Sequence, residues 1–415
     1  MKVNKRNIRY HIDGHHHGLF IKEARLRQGY RLIEVADEIC DISYLSKIES
    51  GTIIPTPEVF EKIAAKLGIQ FPSEERICPI EAFRRCLYQE DVNILGLNLT
   101  HDRFHQYEIQ MIHFFQAVIN DELSEAFTLK KMIDQFCHHF NTKEAQSYQL
   151  FSGIYFFKKF EWEKGKKCFK QSLDFAYQIK EEDPYLYFNL AKYCFQMQKT
   201  CLGFSYLECA ITEFKKIFEK EWVFKCNILW CRESMRSDDV RGVEKRLEEL
   251  RKIINPRQDH LQWSDFFNIL GMIYEKCGQN IQAEEYYTKS IEQREGKINE
   301  VCIIETIKFH YHRQNNDQLI KLIERLDLNC LSKQNRMIVD FYYFKLTDET
   351  SDYFEMFLRK DAIPFAMKGL DYQGVALYTK ELTKYYRNKL RHKKAADAYY
   401  KWEKFRDELN LIRMV

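Results

Sequence analysis

A fixed spacing recurs along this chain. A small residue in one helical stretch is followed 12 residues later by a second small residue. A large apolar residue comes 4 further on, and another small one 3 after that. Gly153, Gly165, Phe169 and Ser172 fit, as do Ala191, Gly203, Leu207 and Ala210, and Gly271, Ala283, Tyr287 and Ser290. Thr383, Ala395 and Tyr399 fit too, with Trp402 breaking the last place. Small residues at these places let two consecutive helices approach closely, and the large one plugs the gap between them. The second set lies 38 residues beyond the first and the third 80 beyond the second. That leaves room for one worn unit over Trp222 to Leu250, and further worn units are expected over 105–140 and 300–365.

Such a pattern specifies a stack of helix pairs, and the composition agrees. Among 415 residues there are only 15 Gly and 7 Pro, too few for the many turns of a β-rich fold, while 31 Phe and 25 Tyr supply core. The spacing resembles the tetratricopeptide repeat, although steps near 38–40 exceed its usual ~34 and imply longer helices or loops. The expected fold is all-α: an N-terminal helix-turn-helix domain followed by a right-handed superhelix of degenerate tetratricopeptide-like helix pairs. A generic helical bundle is the alternative.

The N-terminal domain is read from Arg31 to Gly51, RLIEVADEICDISYLSKIESG. Ala36 is small where two helices must touch, Ile39 and Ile42 bracket a turn, and Leu45 and Ile48 put one apolar stripe on the second helix. Ser43 is expected to cap that helix and Gly51 to end it. Tyr44, Ser46, Lys47 and Ser50 are left on the outer face, the arrangement of a helix that enters the DNA major groove. Helices are expected at about Leu19–Gln28, Arg31–Cys40 and Ser43–Ser50. A fourth should span Thr56–Leu67, with Pro57 at its first position and Gly68 after it. Val59, Phe60, Ile63, Ala64 and Leu67 should pack beneath the reader helix, and Lys22 or Arg25 is placed to meet phosphates.

The stretch YLSKIESG…P…KIAAKLGI resembles the Cro/repressor-type (XRE) helix-turn-helix domain over Leu19 to Phe71. With helical repeats behind it, the chain resembles the Rap/Rgg/NprR/PlcR/PrgX peptide-pheromone regulators, nearest the PlcR and NprR type. The implied organisation is a basic leader (1–18), the DNA-binding domain (19–71), a linker (72–79) and a peptide-sensing, dimerising repeat domain (80–415). By position in the family motif, Ser43, Tyr44 and Lys47 should face base edges or phosphates, and Thr52 should touch backbone phosphate. The family usually opens its second helix with a phosphate-contacting Gln. Here Leu32 stands there, and the neighbouring Arg31 is the substitute. Glu49 is expected to pair with an arginine of the first or second helix. Residues 1–72 carry 11 Lys/Arg against 9 Asp/Glu, about +2, so DNA affinity must rest on local geometry and dimerisation.

Three asparagines stand in helical stretches of the repeats: Asn189 in YFNLAKY, Asn227 in KCNILWC and Asn268 in FFNILGM. They are 38 and 41 residues apart, so each is expected near the same place in its repeat. An Asn carboxamide offers one acceptor and two donors and pairs with both the C=O and the N–H of an extended peptide. In the resembled family, asparagines on repeat helices hold the signalling peptide this way. Lys192, and Arg232 or Lys225, are candidates for a peptide carboxylate, with Tyr187, Trp230 and Phe267 as apolar side pockets.

Nothing in the chain matches GxxxxGK[ST], GxSxG, HExxH or the dinucleotide-binding glycines, so no catalytic residues, cofactor or metal are assigned. The acidic runs EEDP and EKRLEELRK read as solvated faces. Thirteen cysteines, none in a CxxC pair, read as reduced thiols used as small hydrophobes, for example Cys168, Cys194, Cys209 and Cys277. No signal peptide or membrane span is visible. The expected protein is a cytoplasmic bacterial transcription regulator. It binds double-stranded operator DNA as a homodimer and is controlled by a short signalling peptide in the concave groove of its repeats. The alternatives are a peptide-controlled, Rap-like inhibitor of a phosphorelay response regulator and a DNA-binding adaptor whose repeats bind a protein partner.

Overall fold

In the computed structural model the 12-residue step from one helix to the next is realised well beyond the sets visible in the sequence. Residues 14–53, 55–68, 79–88, 106–236, 239–252, 260–292, 299–328 and 331–414 are described, and their regular structure is entirely helical. The chain forms two compact units, Met1–Leu186 and Tyr187–Val415.

In the first unit, α1 (Gly14–Arg27), α2 (Leu32–Ala36), α3 (Ile42–Glu49) and α4 (Pro57–Leu67) build the N-terminal domain. The first helix begins five residues before the expected Leu19, inside the expected leader, of which residues 1–13 lie outside the described residues. The expected linker lies outside them as well, except for Pro79, which is the first residue of α5 (Pro79–Tyr88). Two helix pairs follow: α6 (Gln106–Ile119) with α7 (Leu123–Ile133), and α8 (Thr142–Lys158) with α9 (Trp162–Ile179). The helix α10 (Pro184–Gln196) then runs across the division between the units.

The second unit continues with α11 (Thr200–Lys216), α12 (Lys220–Arg236), α13 (Val240–Arg251), α14 (His260–Lys276) and α15 (Asn280–Glu292). Next come α16 (Glu300–His312), α17 (Asn316–Glu324) and α18 (Lys333–Thr347). A π-helical segment, Phe357–Ala362, joins α19 (Asp352–Met356) to α20 (Ile363–Lys368), and α21 (Tyr372–Asn388) and α22 (His392–Met414) end the chain.

The worn unit between Trp222 and Leu250 is α12 with α13, and it keeps the spacing with Cys231, Val243, Leu247 and Leu250, all buried. Ile307, Leu319 and Ile323 do the same in α16 and α17. Phe114, Ala126 and Ile133 do so in α6 and α7, where Lys130 replaces the plug and lays its ammonium over the Tyr148 ring at 4.9 Å. In each pair the residue 12 beyond the first is the fourth residue of the second helix. The need for a small residue is direct. A Cβ built on Gly271 would stand 2.9 Å from the Tyr287 ring, and one on Gly153 2.7 Å from the Phe169 ring.

Eight turns between helices share one backbone closure. The residue two before the next helix takes a left-handed conformation: Asp121, Phe160, Gln198, Phe218, Gly278, Gln314, Leu370 and Leu390, with φ between 53° and 74°. The following amide then reaches back five residues, as Glu161 N to Phe156 O at 2.9 Å, Gln279 N to Tyr274 O at 2.9 Å and Arg391 N to Tyr386 O at 2.8 Å. This is a Schellman closure, which satisfies the last carbonyls of the preceding helix. Only Gly278 adopts it without a steric penalty; the other side chains cost roughly 1–2 kcal/mol each.

Two substitutions test these constraints. Gly271→Ala should lower the unfolding free energy by about 1–3 kcal/mol, because the buried Tyr287 ring must move. Leu390, exposed at φ 55°, should behave oppositely: Leu390→Gly should raise stability by roughly 0.5–1 kcal/mol. Urea denaturation of both variants checks the signs.

Candidate functional site

The N-terminal domain buries Ile21, Val35, Ala36, Leu45, Ile48, Ile63 and Leu67 as one core, with Val59 and Phe60 packed against it. The first and third helices meet so closely that a Cβ on Gly18 would stand 1.7 Å from Ile48 O. One ion pair is buried in this small domain. Arg25 Nε and Nη2 donate to Glu49 Oε1 and Oε2 at 2.7 and 2.8 Å, and Arg25 Nη1 donates to Tyr30 O at 2.9 Å. The expected arginine partner of Glu49 is therefore Arg25, which is buried and not available to phosphate. The side-chain hydrogen bond to Glu49 pushes the Arg25 pKa up.

This pair fixes α3 and leaves its other face open. Ser43, Ser46 and Lys47 are exposed, while Tyr44 is half-buried against the core. Ser43 is not the helix cap: α3 starts one residue earlier than expected, at Ile42, with Asp41 in the cap position. Thr52 is exposed with its hydroxyl 2.8 Å from Ser50 Oγ. Arg31 stands at the N-cap of α2, where its backbone N–H and its Nη2 donate to Glu34 at 2.6 and 3.1 Å, and its side chain is 78% exposed. These bonds hold the Glu34 carboxyl below its usual range. The second helix is shorter than expected and is followed by Glu38 at φ 62°. The charged groups of the domain thus divide into one buried pair that builds it and an exposed set, Arg31 and Lys47, that faces outward.

In the repeats the three asparagines do not occupy equivalent places. Counted from the small residue of its own helix, Asn189 stands two before Ala191, Asn227 four before Cys231 and Asn268 three before Gly271. At 3.6 residues per turn these are three directions, not one row. All three are buried. Asn227 is committed within the fold, its Nδ2 donating to Val223 O at 2.6 Å and its Oδ1 accepting from Arg246 Nη1 at 2.8 Å. Asn268 is fully buried, and neither end of its carboxamide has a hydrogen-bond partner. Lys192 is exposed, with its ammonium 5.6 Å from the Phe188 ring centroid.

Arg246 is the residue that sequence reasoning passed over, inside the run EKRLEELRK read as a solvated face. It stacks on Trp230 at 4.1 Å, pairs with Glu208 at 2.7 Å and holds Asn227. Trp230 is therefore covered by a cation rather than forming an open apolar pocket. The other candidate cation, Arg232, pairs with Asp265 at 2.5 Å. Lys225 lies 4.7 Å from the Trp222 ring centroid and burial pushes its pKa down. Tyr187 stacks on Tyr206 and Phe267 on Tyr286.

The second unit also holds a cleft of about 630 Å³, lined in part by Gln196, Glu233, Arg236, Lys308, Gln334 and Gln373. None of the five expected peptide-contacting residues lines it. Among the thiols, burial pushes Cys194 up to about 11 and Cys231 and Cys302 up to about 12, as befits small hydrophobes. Cys209 and Cys277, expected among apolar neighbours, are instead exposed. No described helix is long and apolar enough to cross a membrane.

The Arg25–Glu49 pair supports a sharp prediction. Arg25→Met or Glu49→Ala should cost about 3–5 kcal/mol by leaving one buried charge alone, and the Arg25→Met/Glu49→Met double variant should regain most of it. Thermal unfolding of the N-terminal domain signal in the three variants measures this.

Against known proteins, residues 21–72 match the family model HTH_3, described as Helix-turn-helix. The transcriptional activator NprA of Geobacillus stearothermophilus is 21% identical over 394 residues, covering 88% of this chain and 97% of that protein. NprR in complex with its cognate peptide NprX shares the fold at a TM-score of 0.57 and 16% identity, over 74% of this chain and 96% of that one. A Rap protein complexed with Competence and Sporulation Factor does so at 0.60 and 12%, over 82% and 99%. Residues 21–72 thus form a helix-turn-helix domain, and the helix pairs behind it share the fold of these solved proteins.

Proposed function

We propose that this chain is a transcription regulator that binds operator DNA through α3 as a homodimer and is controlled by a short peptide bound in its repeat region. Residues 19–71 form the DNA-binding part, and residues 80–415 form the peptide-sensing and dimerising part. The reading is carried by one observation: a reader helix anchored from behind by a buried ion pair, with Ser43 and Lys47 exposed in front, heads a repeat stack similar in fold to NprR in complex with its cognate peptide. Full-length likeness to a transcriptional activator supports the same conclusion.

Lys47 donates to a guanine edge or a phosphate, and Ser43, Tyr44, Arg31 and Thr52 fix the helix on the duplex backbone. With so little net charge, a single domain binds DNA weakly, and two copies on two half-sites supply the affinity. In the repeats, the unpartnered Asn268 carboxamide is the group with most to gain from a peptide backbone, since a buried amide without partners costs about 1–3 kcal/mol. Asn189 and Lys192 lie on one helix and offer a carboxamide and a cation to the same ligand. Asn227 acts through Arg246 and Trp230. The protein works inside the cell, where a re-imported peptide and the chromosome are both present.

The test is a fluorescence-anisotropy titration of the purified chain against short peptides encoded beside its own gene. One peptide should bind tightly, and Asn268→Ala should weaken it about ten-fold or more. Asn227→Ala should act less, through loss of the Arg246 contact. A folded, DNA-binding protein that takes none of these peptides overturns the peptide reading and favours a protein partner for the repeats.

A further inference from the structure

The unit Tyr187–Val415 holds another cavity, of about 640 Å³, which shares no lining residue with the 630 Å³ cleft. It is a groove with α19 and α20 on one side, α22 on the other and α21 between them. None of Asn189, Asn227 and Asn268 lines it, so it is separate from the proposed peptide contacts. From α21 it takes Val375, Thr379, Leu382 and Tyr386, spaced as one face of a helix, all four of them buried residues. The π-helical segment Phe357–Ala362 belongs to the wall opposite α22 and supplies Arg359. Pro364, just beyond it, has no N–H to return to that turn. Single π-helical turns are rare and recur at functional sites.

The groove changes character along its length. Tyr385 donates to Asp352 at 2.5 Å and Tyr386 donates to Glu355, so the start of α19 lies against the end of α21. At the other end, the ring of Tyr372, the first residue of α21, lies 6.3 Å from that of Trp402. The groove therefore runs along α21 from Val375 to Tyr386, about 16 Å. Its Val375 end is apolar, with Met367 and Trp402, and Ile363 and Leu382 continue that surface inward. Its Tyr386 end is charged. There Arg359, Arg391 and Lys394, three cations, face Asp352 and Glu355, two carboxylates. Both carboxylates are already engaged, Asp352 by Tyr385 and Glu355 by Tyr386 and by Arg359 at 2.8 Å. Arg391 and Lys394 are exposed and have no ion-pair partner among the described residues. Asp397 and Lys401, one turn apart further along α22, offset each other in charge.

We infer that this groove binds a small amphiphilic anion, a carboxylate carried on a straight apolar chain. The volume lies within the range of ligand pockets, and the length suits an extended acyl chain. The tail lies over Val375, Met367 and Leu382, where its removal from water drives binding. The head group meets Arg391 and Lys394, whose charge no carboxylate of the chain has taken up. A cationic head group finds no free carboxylate at that end. This site adds a second ligand to the proposed peptide control and does not depend on it.

Isothermal titration calorimetry of the full chain with dodecanoate, below its micelle concentration, tests this. One dodecanoate should bind per chain, and dodecyltrimethylammonium, which has the same tail and the opposite charge, should bind about ten-fold more weakly or worse. The Arg391→Glu/Lys394→Glu double variant, changed only at exposed side chains, should lose this preference and bind dodecanoate about ten-fold more weakly. Ala398→Phe, which fills the groove, should abolish dodecanoate binding. Three results each overturn the inference: no dodecanoate bound, equal binding of the two head groups, or unchanged dodecanoate binding in the double variant. Should Ala398→Phe not fold, the double variant decides alone. Neither DNA nor a signalling peptide is present, so failure of the peptide reading leaves the answer intact.

Discussion

Everything in the repeats depends on how closely two consecutive helices can lie. The small residue on the first helix removes the obstacle, and the large residue four beyond its counterpart fills the space that remains. Tyr287 against Gly271 and Phe169 against Gly153 leave no room for even one added carbon. This contact sets the angle and the separation within each pair. It therefore also fixes which side chains are turned inward, and the direction of the helix that begins the next pair. Where the small residue is lost, as with Cys231, Ile307 and Phe114, the position is still fully buried.

Three arginines place charge at joints between helices. The Arg25–Glu49 pair ties the first helix to the end of the third. Within the first unit the Arg84–Asp183 pair ties α5 to the turn before Pro184, and Arg246 ties Trp230, Asn227 and Glu208 together across three helices. Each arginine presents a planar fork to partners on other helices, something a lysine cannot do with one ammonium. The cost of burying such ions is recovered as definite geometry rather than as net stability.

The helix-turn-helix domain was legible because its signals are short-range. The apolar stripe of Leu45 and Ile48, the Pro57 start and the Gly68 stop lie within a few residues of what they determine. The repeats were legible only where small residues survived. Their turns could not be seen, because the left-handed position carries glycine once, at Gly278, and elsewhere Phe160, Gln198, Leu370 or Leu390, residues that announce nothing. The register of the asparagines was hidden for a related reason. Spacings of 38 and 41 look like one repeat each, yet a shift of one or two residues turns a side chain by 100° or 200° around its helix.

By itself, the amino-acid sequence determined the helical class, the helix-turn-helix and the step that pairs helices, because these follow from patterns repeated within a turn or two of chain. Only the tertiary structure decided which charged groups are structural. Arg25, Arg84, Asp183 and Arg246 sit in runs that look solvated, and their partners lie 16 to 99 residues away. The energy of an ion depends on what surrounds it in space, and no local pattern carries that information.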